Sequence, residues 1–216
     1  MAQSPIHHLT GRGREETYEI QRSADGSVHL SSHGTFSFKI LFTRVRAVFS
    51  QELFLDRNLV PERYTLQVKG PFNIGNRKIE GERTGDVMRI TSGNGEDQVR
   101  IGTHAPLILG MFSTYAVIPL LAGPLRNGDS KEFQVVPLFG RAVGSDITLR
   151  VRRAGDASVR SEATEIILDR YALTSSVGNS TLLAKGKELI ALVASGSDGT
   201  LVVYRSDYFP AGLEIP

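Results

Sequence analysis

The sequence predicts a mainly β protein: curved antiparallel sheets forming a half-barrel or open barrel around one short apolar central helix. Three observations carry this. Short apolar runs of period two recur along most of the chain, separated by turns rich in Gly, Asp and Asn. The chain holds 22 Gly and no Trp, a composition that suits many tight turns. One stretch alone, residues 104–125 (HAPLILGMFSTYAVIPLLAGPL), is uncharged from Ala105 to Leu125 and spaced like a helix.

Composition bounds the rest. At 216 residues the chain is long enough for a real core, and 40% hydrophobic with 22% charged residues is ordinary for a globular protein. The 25 Lys+Arg are interspersed with 23 Asp+Glu, which leaves no basic block of the kind that binds nucleic acid. Arg44, Arg46 and the cluster at 150–153 are the local basic patches, and they read as a solvated outer face. Zero Cys excludes disulfides, thiolate metal sites and cysteine nucleophiles. The start Met1-Ala2-Gln3-Ser4-Pro5 reads as a mature exported protein behind an added Met, which predicts a periplasmic, envelope or secreted location. The alternative is a cytosolic start with a disordered leader.

Residues 1–16 are polar and Gly-rich and are expected to be a loose leader, with a single β-rich domain over 17–216. Its first half-sheet spans 17–102. Tyr18 and Ile20, then Val28 and Leu30, alternate about Ala24-Asp25-Gly26, a hairpin pattern. From Thr35 to Leu55 the chain reads as one long extended region. Phe36, Phe38, Ile40 and Phe42 keep one parity and Val45, Ala47 and Phe49 the other, so a bulge is expected near Thr43-Arg44. Tyr64, Leu66 and Val68 face one side of the next strand, and three more strands follow.

A helix is predicted over 105–118, with Thr103 as N-cap, Pro106 in the first turn, and Pro119 and Gly123-Pro124 as stops. Its length of about 20 Å at ~1.5 Å per residue falls short of a ~30 Å hydrocarbon core, so contact with a membrane is peripheral at most. Leu107, Ile108, Met111, Phe112, Tyr115 and Ile118 share a broad apolar face; Gly110, Ser113, Thr114 and Val117 make a face of smaller side chains. The large face plugs the β-structure or lines a pocket for an apolar ligand.

A second half-sheet is expected over 131–207, with turns at Gly155-Asp156, Gly178-Asn179, Lys185-Gly186 and Asp198-Gly199. Leu55-Asp56-Arg57 in the first half echoes Leu168-Asp169-Arg170 in the second, as two similar half-sheets or chance would produce. The apolar tail at 208–216 is expected to dock back on the sheet, the alternative being a partner.

Reactive chemistry is sparse. His7, His8, His29, His33 and His104 lack metal-site spacing, and His29 with His33 reads as surface histidines. His104 stands at the predicted helix start, where a structural role is expected. Asp56 and Asp169 read as turn-capping carboxylates rather than an acid–base pair. Neither Gly11-Arg12-Gly13 nor Gly93-Asn94-Gly95 leads from a buried strand into a helix, so neither cradles a phosphate. The reading is a non-enzyme without catalytic residues, metal or cofactor.

The phrase from Leu121 to Asp129, LAGPLRNGD, followed by a strand at Phe133 and a late Gly199-Thr200-Leu201-Val202, resembles an uncharacterised family of bacterial envelope β-proteins. That family is more distantly similar to the periplasmic lipoprotein carriers, and the resemblance implies a curved half-barrel that holds apolar chains. The expected ligand wall is Phe36, Phe38, Ile40 and Phe42 on the sheet with Leu107, Met111, Phe112 and Tyr115 on the helix. The expected partners are a lipid or other apolar small molecule, or an envelope protein. In the alternative, the protein is a structural scaffold docking on an envelope assembly without a ligand.

Overall fold

The computed structural model describes residues 6–11, 13–40, 43–71, 76–93, 95–101, 107–108, 113–135, 147–161, 164–176, 178–196 and 199–209. Eight strands come first: β1 (Ile6–Gly11), β2 (Arg14–Arg22), β3 (Val28–Ile40), β4 (Thr43–Leu55), β5 (Pro61–Lys69), β6 (Arg77–Thr84), β7 (Val87–Ser92) and β8 (Gly95–Arg100). A two-residue strand β9 (Leu107–Ile108) and helix α1 (Ser113–Leu121) follow. The chain continues with β10 (Ser130–Val135), β11 (Ile147–Ser161), β12 (Thr164–Ser175), β13 (Gly178–Lys185), β14 (Glu188–Gly196) and β15 (Gly199–Arg205).

All fifteen strands belong to one sheet, in the order β8-β7-β6-β5-β4-β3-β2-β1-β15-β14-β13-β12-β11-β10-β9. Each half is an antiparallel meander of sequence neighbours, apart from β9, which pairs parallel with β10 at the edge of the second half. The halves join through β1 and β15, with Leu9 opposite Arg205 and Gly11 opposite Val203. The seam is tight, since a Cβ on Gly11 would lie 2.0 Å from the Val202 carbonyl oxygen. Gly34 meets the same constraint between β2 and β3, where a Cβ would stand 2.1 Å from the Glu15 carbonyl oxygen. The predicted fold class holds: the structure is an open, curved antiparallel sheet with one short helix.

Four local expectations are corrected. The leader is not loose over its whole length, because residues 6–11 form β1 and β2 begins at Arg14; His7, Leu9, Arg14 and Glu16 are buried between neighbouring strands. The parity flip near residue 43 is a hairpin, with Ile40 opposite Thr43. A two-residue connection pairs even positions of one strand with odd positions of the next, so both sets face the same side. Gly155-Asp156 is a bulge rather than a turn: the register of β11 on β12 shifts between Arg153 and Asp156, and Gly155 takes a φ of 92°.

The fourth correction concerns the helix. It spans Ser113–Leu121 instead of 105–118, and Leu107–Ile108 is extended, hydrogen-bonded parallel to β10 beside Gln134 and Val135. Pro119 lies inside the helix, which runs on through a bond from the Ala122 N–H to the Ile118 carbonyl. Proline there removes one helical hydrogen bond, a loss that burial on all sides offsets. Gly123, at a φ of 107°, ends the helix as expected.

Every α1 residue whose side chain is described is buried, including the small Ser113, Thr114 and Val117. A helix whose described side chains are all buried is a core element, and this one belongs to the core that holds Leu30, Leu53, Leu66, Phe133 and Leu192 from both half-sheets. Only about 10 Å³ is left beside Pro119, Leu120, Phe133 and Tyr171. That is too small for any apolar ligand.

Candidate functional site

The inner face is not uniformly apolar. On β2 the alternation that buries Tyr18 also buries Arg14 and Glu16, 4% and 2% exposed. Their side chains pair at 2.6 Å, Arg14 Nη2 donating to Glu16 Oε2. The other carboxylate oxygen, Oε1, accepts the Ser113 N–H at 3.3 Å, so Glu16 satisfies one of the donors left free at the start of α1. Nearby, Gln51 Nε2 donates to Ser32 Oγ at 2.6 Å. These side chains form a buried polar belt across the inner face where the helix begins.

Burial opposes both charges of this pair. It raises the Glu16 carboxyl above its ordinary range against the pull of Arg14, and it lowers the Arg14 guanidinium to about 10 against the pull of Glu16. A pair of this kind adds little net stability, yet removing one partner typically costs about 3–5 kcal/mol. The belt therefore fixes where the helix starts more than it strengthens the fold.

At the Arg14 end of the belt, Phe36 stands opposite Arg14 on one side and Ala47 on the other. It is half-buried, with its ring centroid 6.1 Å from that of the fully buried Phe49. Beyond Phe36, β3 and β4 continue to Ile40 and Thr43. Of the expected ligand wall, Phe36 is the residue whose side chain is described. Phe38 and Ile40 occupy successive same-face register positions on β3, opposite Val45 and Thr43, but their side chains lie outside the described set, as do those of Leu107 and Tyr115. Phe42, Met111 and Phe112 lie outside the described residues, as does His104.

The other titratable residues have structural partners. His29 bonds Glu52 across β3 and β4 and stacks on Phe54 at 4.2 Å, while His33 is exposed. Asp56 caps its own turn through the Asn58 and Val60 N–H groups and holds Arg83 at 3.0 Å. Asp169 sits within β12, not in a turn, and binds Arg153 at 2.5 Å across the bulge. The two carboxylates thus belong to different halves of the sheet. No group of three or more His, Cys, Asp or Glu among the described residues is arranged to hold a metal ion.

Sequence reasoning missed Arg14 and Glu16 because they fell in the expected leader. The signal was there: Arg14, Glu16, Tyr18 and Ile20 share one parity, so the strand that holds Tyr18 extends back through them.

No family model matches the chain, and no curated protein matches it. Among solved structures, it is similar to a β-barrel-like protein of the domain of unknown function DUF1849 from Brucella abortus, with a TM-score of 0.59 at 8% identity over 93% of each chain. A DUF1089 family protein from Pseudomonas aeruginosa aligns with a TM-score of 0.49 at 12% identity, over 81% of this chain and 87% of that one. The fold, an open β-barrel-like sheet, is therefore one that a bacterial domain of unknown function also adopts.

Proposed function

We propose that this is a non-enzymatic binding protein of the cell envelope or a secreted one, which takes a lipid or other apolar molecule against the inner face of the sheet where α1 begins. The observation that carries this reading is the position of Phe36. It lies half-buried beside the polar belt, and the β3–β4 hairpin goes on past it. An apolar wall with a few fixed polar groups beneath it is the ordinary make-up of a small-molecule site. The space between the helix and the second half-sheet, beside Leu120, Phe133 and Tyr171, has about 10 Å³ free and no such room. The resemblance of the sequence to envelope β-proteins and, more distantly, to lipoprotein carriers supports the same reading and the same location.

Native mass spectrometry of protein purified without detergent tests it. A co-purifying apolar mass is expected, and Phe36→Ser lowers its occupancy about tenfold, the loss of ~1.4 kcal/mol that partial exposure of a phenyl ring represents. A single apo mass with no binding of an apolar dye overturns the ligand reading and leaves the scaffold alternative.

A further inference from the structure

At the end of the sheet away from Phe36, two turns, the end of the helix and the start of β10 line an open cleft of about 270 Å³. Arg22 at the end of β2, Gly26 from the β2–β3 connection, Arg57, Asn58 and Leu59 from the β4–β5 turn, Leu121 and Ala122 at the end of α1, and Lys131 of β10 line it. Three cations face this space, and no carboxylate of the described residues lines it. We propose that the cleft binds an anionic phosphate group carried by a small organic moiety.

The charge arrangement is the first support. Arg83, Arg153 and Arg205 each hold two carboxylates, whereas Arg22, Arg57 and Lys131 have no ion-pair partner among the described residues. The acidic residues of the two adjoining turns are engaged elsewhere. Asp25 accepts from the Ser27 N–H and hydroxyl, and Asp56 is held by its own turn and by Arg83. The helix C-terminus supplies about half a negative charge, far less than three cations bring. Clustered cations in a concave site repel one another until an anion joins them, and guanidinium groups match phosphate oxygens in geometry.

Backbone strain is the second support. Among the described residues, Leu59 is the one non-glycine with a positive φ, 62°. Gly or Asn adopts this conformation at less cost, yet a leucine is used, and its side chain packs on the core beside the end of the helix. The turn thus accepts strain to give the cleft an apolar floor of Leu59, Leu121 and Ala122 beneath charged walls. That suits an organic phosphate better than a bare ion. The site is independent of the proposed apolar site, from which the packed helix separates it.

Calorimetric titration with inorganic phosphate and with glycerol phosphate, together with sedimentation on phosphatidylglycerol and on phosphatidylcholine vesicles, tests the proposal. Saturable binding that weakens with salt is expected, with Arg57→Gln and Lys131→Gln each reducing affinity about tenfold and the remote Arg160→Gln leaving it unchanged. Binding of glycerol phosphate in solution identifies a free ester as the ligand; binding confined to phosphatidylglycerol vesicles identifies a lipid headgroup. In the wild-type protein the amide resonances of Gly26 and Asn58 should shift on titration, a readout that needs no variant to fold. Absence of saturable binding to any of these probes, or equal binding by the Arg57→Gln/Lys131→Gln double variant, overturns the proposal.

Discussion

The two halves of the sheet bury their strands differently. In the first half, burial alternates: β4 hides Ala47, Phe49, Gln51, Leu53 and Leu55, while Arg46, Val48 and Ser50 between them are exposed. In the second half, Leu182, Leu183 and Ala184 on β13 are buried consecutively, as are residues 189–192 on β14. The difference lies outside the barrel. After β15 the chain turns back, with the Tyr208 and Phe209 N–H groups bonded to the Arg205 carbonyl, and Phe209 becomes 1% exposed. It packs on Leu168, Leu183, Ile190 and Ala191 as a second, smaller core on the outer face. Alternation marks a sheet with one covered face; an unbroken apolar run marks one covered on both.

The strongest way to break this contrast is to place a charge on equivalent outer positions of the two halves. Leu183→Asp puts an unpaired carboxylate into the second core and should cost more than ~3 kcal/mol, enough to leave little folded protein. Val48→Asp, at a position 55% exposed in the first half, should stay within ~0.5 kcal/mol of the parent in urea unfolding. Equal effects would show that the outer core does not exist. Removing the ring that covers it comes next: Phe209→Ala should cost about 3–5 kcal/mol by the same measurement. A loss below ~1 kcal/mol would mean that the tail merely rests on the sheet.

The smallest effect is expected at the seam between the halves. His7 of β1 is buried and stacked on Tyr18 at 4.7 Å, and its Nδ1 has no hydrogen-bond partner among the described residues. Burial, reinforced by the Arg205 charge, holds its pKa below the ordinary 6.5. The unfolded chain therefore takes up a proton before the folded one does. Stability from this group is present above 6.5 and is lost as pH falls from there through the lowered folded value. His7→Gln should flatten that part of the stability–pH profile, and an unchanged profile would exclude His7 as its source.

Much of the fold was legible in the residues themselves. The β2–β3 hairpin, the turns near Gly178 and Gly186 and the single helix all follow from local period and turn chemistry. Strand β1 was not legible, because half of its pairing comes from β15, nearly two hundred residues away, and Ile6-His7-His8-Leu9 gives no local apolar run. The hairpin that pairs Ile40 with Thr43 lay hidden because a bulge and a two-residue connection shift parity alike, and the sequence Leu41-Phe42 has none of the usual turn residues. The helix start moved because Leu107 and Ile108 found a partner in the open edge of β10, and no local propensity reports a vacant edge. Of the candidate ligand wall, Phe36 was legible from its parity. Beneath it, the Arg14–Glu16 pair was obscured by the polar residues around it. The cations of the opposite cleft come from a strand end, a turn and a distant strand and share no sequence pattern.

The seam of β1 and β15 has a consequence for how the protein is made. The bonds that unite the two meanders form between the earliest strand and the latest, so each half can zip by itself while the union waits for Gly199–Arg205. Until that strand arrives, β1 and β14 each present a bare ladder of N–H and C=O groups, open to a second chain as readily as to their own. A chain stalled or cut before residue 199 should therefore be caught as edge-paired aggregates, and the last strand serves as the latch that prevents them.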